Sequence, residues 1–264
     1  MKNQYPKISI VTPSYNQGQF IEDAIQSVLI QNYPNLEHII VDNCSTDGTI
    51  DTLKKYPHLI WISEPDKGQS DAVNKGFFMA TGDIVAYLNS DDQYCPGVFL
   101  TVADYFLEHP ECKWLCGNVI FTDSKGSVFA KKKPLYSPFI LRFATSSIYQ
   151  PNVFLRRQVL DDVGYLREDF QTIMDQEWFC RIAEHYVPEI IDKDFAKFRW
   201  HTDSKSSSGP DTAHHKRYIE EKKIIFSRYL PFITPILNIA PRSTINLIHQ
   251  IARAVKLWKR LIKI

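Results

Sequence analysis

The chain has 264 residues with 31 basic and 30 acidic side chains, and 44% of its residues are hydrophobic. This composition predicts a folded core and excludes global disorder. The five scattered cysteines exclude a disulfide scaffold and indicate a reducing compartment. The first residues do not resemble a signal peptide, and no apolar run reaches the roughly 18–20 residues of a membrane-spanning helix.

Strand and helix patterns alternate over the first 95 residues or so. Strands are predicted at Lys7–Thr12, Leu36–Asp42, His58–Ser63 and Asp83–Asn89, and helices at Phe20–Ile30, Ile50–Tyr56 and Gly68–Ala80. Ser45 or Thr46 is expected to cap the second helix. Short apolar strands that alternate with helices predict an α/β fold with a mostly parallel, Rossmann-like sheet covered on both faces.

The pattern changes after Asp92. Helices are predicted at Pro96–His109, Gln158–Val163 and Gln176–Tyr186, short strands within 113–155, and a further strand or pair at Ile190–Trp200. Ser206–Asp211 has the composition of a linker. We therefore expect one domain over residues 1–210, divided into halves 1–95 and 96–210, and a basic helical tail over 211–264.

Polar side chains follow three of the predicted strands, at Thr12–Tyr15, Asp42 and Asn89–Asp92. Ligands of open α/β sheets bind beyond the carboxyl ends of strands, although any single Asp in a turn is also explained as a loop cap. Neither GxGxxG nor a P-loop is present, so a phosphate site must rely on a cation. Asp91 and Asp92 suit Mg²⁺ or Mn²⁺, which prefer carboxylate oxygens.

Four segments together resemble the nucleotide-binding half of family 2 glycosyltransferases, which have the fold type called GT-A: VTPSYN, IIVDNCSTDGT, EPDKGQSDAVNKG and GDIVAYLNSDD. MDQEWFCRIAEH is similar to the acidic motif of this family, and FRWHTDSKS to a late segment containing a histidine. The resemblance covers residues 7–205. It implies a GT-A fold and an inverting transferase that uses a nucleotide diphosphate sugar, with UDP favoured, and binds its acceptor in the half 96–210.

The resemblance implies that the donor is bound by Thr12, Pro13, Tyr15, Asp42, Asp66, Gln69, Asp71 and Lys75. Tyr15 is expected to stack on the base, and Asp42 to accept a hydrogen bond from the base or ribose. Plainer explanations stay open, since Asp42 also suits the cap of the STDGT turn and Asp71 suits a helix N-terminus for reasons of dipole alone. Lys75 either reaches phosphate or is a solvated helix residue.

Asn89-Ser90-Asp91 occupies the position of the family's DxD motif, with Asn in place of the first acid. The resemblance implies that Asp91 is a ligand of Mn²⁺ or Mg²⁺ and that Asn89 contacts the sugar or ribose. His201 is a second candidate ligand or a phosphate donor, although a lone His is often structural. The missing negative charge at Asn89 is expected to weaken the metal site.

Asp175 matches the catalytic base of the family, the carboxylate that removes a proton from the acceptor hydroxyl. The alternative is that Asp175 caps the helix Gln176–Tyr186, and both roles are compatible. Gln150 resembles a residue of an acceptor-side loop. Trp200 is expected in the core rather than in a sugar site.

The tail carries nine basic and no acidic residues after Glu221, whereas the preceding part has 22 basic and 30 acidic residues, a net charge of −8. On a helical wheel, Leu247, Ile251 and Trp258 fall on an apolar half and Lys256 and Lys259 on the other. This pattern predicts a helix lying on a membrane surface, with packing against the domain or a second subunit as the alternative. The acidic body argues against a nucleic acid partner.

The leading hypothesis is transfer of a sugar to a glycan acceptor, lipid-linked, by a cytoplasmic protein attached peripherally to the inner face of the membrane. A homo-oligomer is compatible with the sequence. A nucleotidyltransferase is a second hypothesis, but the Gly-rich phosphate loop that it requires is missing. A binding protein without catalysis is the third, favoured only by Asn89.

Overall fold

A computed structural model describes residues 5–143, 148–202, 204 and 212–261, with the side chains of the last helix up to Val255. Within these residues one sheet contains the strands Ile8–Ser14 (β1), Leu36–Asp42 (β2), Ile60–Ser63 (β3), Ile84–Tyr87 (β4), Gln93–Tyr94 (β5), Trp114–Thr122 (β6), Val128–Lys132 (β7), Val153–Arg156 (β8) and Glu189–Arg199 (β9). The four strands predicted in the first half are all present, and the second has the predicted bounds.

The α-helices of the described residues are Ile21–Leu29 (α1), Thr49–Leu53 (α2), Gln69–Met79 (α3), Val98–Glu108 (α4), Pro138–Phe143 (α5), Gln158–Val163 (α6), Met174–Ile182 (α7), Ala213–Tyr229 (α8), Thr234–Ile239 (α9) and Pro241–Leu261 (α10). Two predicted caps are wrong. Helix α2 begins after Gly48 without a side-chain cap, so neither Ser45 nor Thr46 caps it. Helix α7 begins two residues earlier than predicted and its N-cap is Ile173, so Asp175 lies within its first turn.

The strand order is β3-β2-β1-β4-β8-β6-β9-β5, with β7 paired to β6. The strands β1 to β4 are parallel to one another, as the sequence predicts. Strand β8 is antiparallel to both β4 and β6, so the sheet as a whole is mixed. The parallel part brings the carboxyl ends of β1, β2 and β4 to one edge, which is where the polar segments lie.

Apolar side chains fill both faces of the sheet. One core cluster joins the sheet to α3, α5 and α7, another joins it to α1 and α4, and a smaller third joins it to α1 and α2. A Cβ atom at Gly76 would overlap the side chain of Val11 on β1, so only glycine lets α3 lie this close to the sheet. This close approach brings Gln69, the first residue of α3, to the edge where the strands end.

The C-terminal helices extend the first core cluster. Phe226 of α8 and Ile245 and Ala252 of α10 are fully buried in it. Leu247 and Ile251, on the predicted apolar half of α10, are 58% and 48% exposed. The predicted linker Ser206–Asp211 lies outside the described residues, as do the side chains of Trp258 and its neighbours. No helix in the described part of the chain is long and apolar enough to cross a membrane.

Candidate active site

A cleft of about 340 Å³ opens where β1 and β4 end. Its lining includes Pro13, Tyr15, Asp66, Gln69, Asn89, Asp91 and His201. Tyr15 is 58% exposed, so one face of its ring is available to a flat ligand. The Ser90 hydroxyl donates to the carbonyl of Pro13 at 2.5 Å and ties the two strand ends together. We call this space the smaller cleft.

Two predicted nucleoside contacts lie behind the wall of the smaller cleft. Asp42 is fully buried and accepts hydrogen bonds from the backbone amide and hydroxyl of Ser45 and from the hydroxyl of Ser63. Thr12 is fully buried, and its hydroxyl lies 2.9 Å from Nε2 of His38. Asp42 therefore orders the turn after β2 in this conformation, and a contact from either residue to a nucleoside stays a prediction.

The predicted residues in the loop before α3 and on α3 itself fall into two groups. Asp66 and Gln69 line the smaller cleft, and the Asp66 carboxylate accepts from the amide of Gly68 at 2.8 Å. Asp71 instead accepts from the amide of Lys67, and Lys75 pairs with Glu64 at 2.8 Å. The structure thus brings Asp66 and Gln69 to the cleft, whereas Asp71 and Lys75 hold the loop from outside.

In the segment after β4, some polar side chains face the smaller cleft and others are buried in the protein. Asn89 accepts a hydrogen bond from the side-chain amide of Gln69 at 2.7 Å. Asp91 faces the cleft, where its carboxylate lies 3.0 Å from Nε2 of His201. Asp92 is buried, and burial together with the charge of Asp91 raises the pKa of its carboxyl well above the usual range. Asp91 is therefore the carboxylate of this segment that can reach a ligand.

Asp91 and His201 have the chemistry of a divalent metal site. Carboxylate oxygen and imidazole nitrogen both suit Mn²⁺, and small divalent cations are often held by one or two protein groups together with substrate phosphates. No cluster of three or more His, Cys, Asp or Glu is poised for a metal among the described residues. The Nδ1 atom of His201 is buried without a partner in the same set. The two side chains fit such an ion when a diphosphate supplies further oxygens.

Arg199, which the sequence analysis did not select, fixes the loop that carries Asp91. Its backbone amide donates to the Asp92 carboxylate at 3.0 Å, and its Nε donates to the carbonyl of Asp91 at 3.1 Å. Its guanidinium also pairs with Asp23 at 2.6 Å and lies over the ring of Phe20. The position of Arg199, at the end of β9 and two residues before His201, was the available signal.

A second cleft of about 500 Å³ adjoins the first, and we call it the larger cleft. Its lining includes Gln69, Asn89, Gln150, Asp175, Trp200 and Tyr218. Gln69, Asn89 and Phe198 line both clefts. Asp91 and Asp175 therefore line adjoining clefts, and the hydrogen-bonded pair of Gln69 and Asn89 lies on the lining of both.

Asp175 is half-buried in the larger cleft, where its carboxylate accepts a hydrogen bond from the amide of Gln176 at 2.8 Å. Desolvation by the surrounding protein raises the pKa of Asp175 above its ordinary value. A carboxylate with a raised pKa is a stronger base than a solvated one. Glu177, two residues along, is buried and pairs with Arg181 at 2.9 Å, so it faces away from the cleft.

Other residues of the larger cleft come from distant parts of the chain. The side-chain amide of Gln150 donates to the carbonyl of Tyr87, and its Oε1 is buried without a partner among the described residues. Trp200 is 43% exposed at the cleft, so the expectation that it belongs to the core was wrong. Helix α8 also contributes to the lining of the larger cleft, through His214, His215 and Tyr218. No sequence motif predicted this contribution.

A family model described as glycosyl transferase family 2 matches residues 9–171, more than half of the chain. The chain belongs to this family. The family resemblance seen in the sequence is therefore confirmed. The matched region contains β1 to β4 and the segment of Asp91, and it ends just before Asp175.

This family 2 glycosyltransferase is 45% identical over 100 residues to TuaG of Bacillus subtilis (strain 168), named for an assigned role as a teichuronic acid biosynthesis glycosyltransferase. The match spans 36% of this chain and 39% of TuaG, so the chain covers well under half of that relative's length.

Two solved structures have a similar fold. TarS 1–349 of S. aureus in complex with UDP-GlcNAc aligns with a TM-score of 0.63 at 20% identity, over 84% of this chain and 66% of that one. The mannosyltransferase PcManGT of Pyrobaculum calidifontis, in complex with GDP-Man and Mn²⁺, aligns with a TM-score of 0.61 at 19% identity. That alignment covers 98% of this chain and 76% of PcManGT. The predicted GT-A type fold is confirmed.

Proposed function

We propose that this protein transfers a sugar, with inversion, from a nucleotide diphosphate sugar to a hydroxyl of a glycan acceptor in cell-surface polysaccharide synthesis. The observation that carries the proposal is that the cleft lined by Asp91 and His201 adjoins the cleft lined by Asp175, with Gln69 and Asn89 on the lining of both. The donor occupies the smaller cleft, with its base against Tyr15. The acceptor occupies the larger cleft, so the anomeric carbon lies at the Gln69–Asn89 pair.

Asp175 is the general base of this reaction. Its carboxylate takes the proton of the acceptor hydroxyl as that oxygen bonds to the anomeric carbon, and the bond from this carbon to the diphosphate oxygen breaks. Asp175 is the sole Asp or Glu on the described lining of the larger cleft, and inversion needs one such carboxylate and no covalent nucleophile. The raised pKa of Asp175 favours proton abstraction.

Asp91 and His201 would hold a divalent ion, Mn²⁺ or Mg²⁺, against the diphosphate. Such an ion supplies charge neutralisation for the leaving diphosphate. PcManGT, the structural neighbour solved with GDP-Man and Mn²⁺, supports this assignment. Asn89 keeps its side chain at the cleft through Gln69, which suits a neutral contact to the donor sugar or ribose.

UDP is the favoured nucleotide, and the complex of TarS with UDP-GlcNAc supports it. The test is to incubate the protein with Mn²⁺ and a panel of UDP-, GDP- and dTDP-sugars. Slow hydrolysis of the donor, in which water takes the place of the acceptor, releases the nucleotide, and mass spectrometry measures that release. We expect release from a UDP-sugar by the wild type and loss of release in Asp175→Asn, which still binds UDP. Equal release by the two proteins would contradict the role of Asp175.

The tail is proposed to rest on an anionic membrane, which suits a lipid-linked acceptor. Its exposed apolar side chains include Phe232, Ile236, Ile239, Leu247 and Ile251. No acidic residue follows Glu221, so every charged side chain of the tail beyond that residue is a cation, as an anionic surface requires. The same observations suit a peripheral position at the cytoplasmic face of the membrane.

Flotation with vesicles tests this membrane proposal. The double variant Leu247→Glu with Ile251→Glu should lose binding to vesicles of phosphatidylcholine mixed with phosphatidylglycerol. Leu100→Glu, at a position on α4 that is 40% exposed, should retain binding. Equal flotation of all variants would contradict the proposal, and a dimer that dissociates only in the double variant would assign the surface to a second copy instead.

A further inference from the structure

Helix α8 covers the segment that leads into α7 and Asp175. Glu221 is buried, and its carboxylate accepts from the backbone amides of Gln171 at 2.7 Å, Thr172 at 3.0 Å and Ile173 at 3.0 Å. The next residue, Lys222, is fully buried as well. Two adjacent charged side chains of α8 are thus enclosed beside the proposed base, beyond the end of the family match at residue 171.

The ammonium group of Lys222 is linked to Asp175 through one residue. Its Nζ donates a hydrogen bond to Oε1 of Gln176. The side-chain amide of Gln176 donates to the carbonyl of Leu141 at 2.8 Å, and its backbone amide donates to the Asp175 carboxylate at 2.8 Å. The side chain of Gln176 is therefore held between Lys222 and Leu141, while the backbone amide that donates to Asp175 is positioned by α7 itself.

Packing alone does not explain a lysine at this position. Removing a cation from water is costly, and an apolar side chain of similar volume is usually as stable or more stable. The rings of Tyr218 and Phe226 lie 5.6 and 5.7 Å from Nζ and recover part of this cost. Burial lowers the pKa of Lys222 to about 8, so the side chain keeps its positive charge at neutral pH.

Among the described residues, the groups that interact with Asp175 or Lys222 include Tyr87 on β4, Cys180 on α7, Tyr218 and Glu221 on α8, and His249 on α10. His214 and His215 of α8 line the same cleft as Asp175, and Arg142 on α5 interacts with Cys180. Burial raises the pKa of Cys180 to about 12 and lowers that of His249 to about 3, so both are neutral near pH 7. Glu221 acts on Asp175 in the direction opposite to Lys222. Lys222 is the buried cation that favours the ionised form of Asp175.

We propose that Lys222 is a positioning residue for the transfer reaction: its hydrogen bond to Gln176 holds its buried charge near Asp175, where that charge favours the carboxylate form of the base. The inference rests on the proposed function of Asp175. It makes the C-terminal helices part of the catalytic machinery, since removal of α8 removes both Lys222 and the carboxylate that holds residues 171–173.

The test follows the Asp175 carboxyl directly by ¹³C NMR of protein labelled at aspartate, with its resonance assigned by its absence in Asp175→Asn. In Lys222→Met, the midpoint of the Asp175 titration should rise by about one pH unit, the usual size of an opposite-charge effect. The acid limb of UDP-sugar turnover should move upward with it, while the thermal unfolding midpoint stays equal or rises. Lys223→Met, which loses an exposed ion pair to Glu220, is the matched control.

Lys222→Gln keeps a hydrogen-bond donor without the charge, and it repeats the test if Lys222→Met does not fold. An Asp175 midpoint in these variants equal to that of wild type and Lys223→Met would overturn the proposal. A lower thermal unfolding midpoint together with an unchanged pH profile of turnover would mean that Lys222 acts on stability alone. That result would also overturn the proposal. Equal UDP release by wild type and Asp175→Asn would instead reject the base assignment on which the proposal rests.

Discussion

Glu221→Ala should destabilise the fold strongly, because the Glu221 side chain accepts hydrogen bonds from three consecutive backbone amides. Its carboxylate accepts from the amides of Gln171, Thr172 and Ile173, and from the Thr172 hydroxyl at 2.6 Å. A buried donor left without a partner costs about 1–3 kcal/mol. Water in the larger cleft can reach the donors of Gln171 and Thr172 in part, whereas Ile173 is buried.

Counting the amide of Ile173 in full and those of Gln171 and Thr172 in part, we expect a loss of about 2–5 kcal/mol in the free energy of unfolding. That is a large fraction of the roughly 5–15 kcal/mol typical of a folded domain. Urea unfolding, followed by far-UV circular dichroism, measures the change as a shift of the midpoint at constant slope. The segment before Asp175 should also become more sensitive to proteolysis.

The matched control is Glu220→Ala, one residue earlier on α8. Its side chain is 64% exposed and makes an ion pair to Lys223 at 3.0 Å. Exposed pairs of this kind contribute at most about 1 kcal/mol. If Glu221→Ala unfolds at the same urea concentration as Glu220→Ala, the reasoning that Glu221 organises residues 171–173 is refuted.

The remaining predictions concern the smaller cleft and the base. Asp91→Asn and His201→Ala should each abolish the Mn²⁺-dependent part of UDP binding in calorimetry, and unchanged Mn²⁺ dependence would reject this metal site. Tyr15→Ala should weaken UDP binding by about tenfold or more, the loss of one base-stacking contact, without changing Mn²⁺ affinity. Because the pKa of Asp175 is raised, protonation of this base should lower turnover at a pH above about 4, the ordinary pKa of aspartate. UDP release measures the rate, and a rate that does not change between pH 4 and 7 would contradict this prediction.

Local patterns in the sequence were sufficient for much of the first half of the fold. The strand Leu36–Asp42 has the predicted bounds, and α3 lies within the predicted Gly68–Ala80. These elements are set by neighbouring residues, since apolar spacing decides which side faces the core. The cluster of Asp91, Gln69 and Asn89 follows from them, because parallel strands end at one edge of the sheet.

Contacts between distant parts of the chain were not predictable in this way. Asp91 and His201 are 110 residues apart and meet because β5, which begins just after Asp91, pairs with the end of β9. The sequence left open whether the basic tail lies on a membrane or packs against the domain, and it did not indicate that Glu221 and Lys222 are buried beside α7. Helical periodicity shows that a face is apolar, but it does not show which surface covers that face.

The central claim is that donor, metal ion and base share one continuous space, and a crystal structure of the protein with UDP and Mn²⁺ tests it most directly. The account predicts anomalous density for manganese between Asp91 and His201, the uracil against Tyr15, and the diphosphate end directed toward the Gln69–Asn89 pair and Asp175. A nucleotide bound with its diphosphate away from Asp91, or separated from Asp175 by protein, would contradict it.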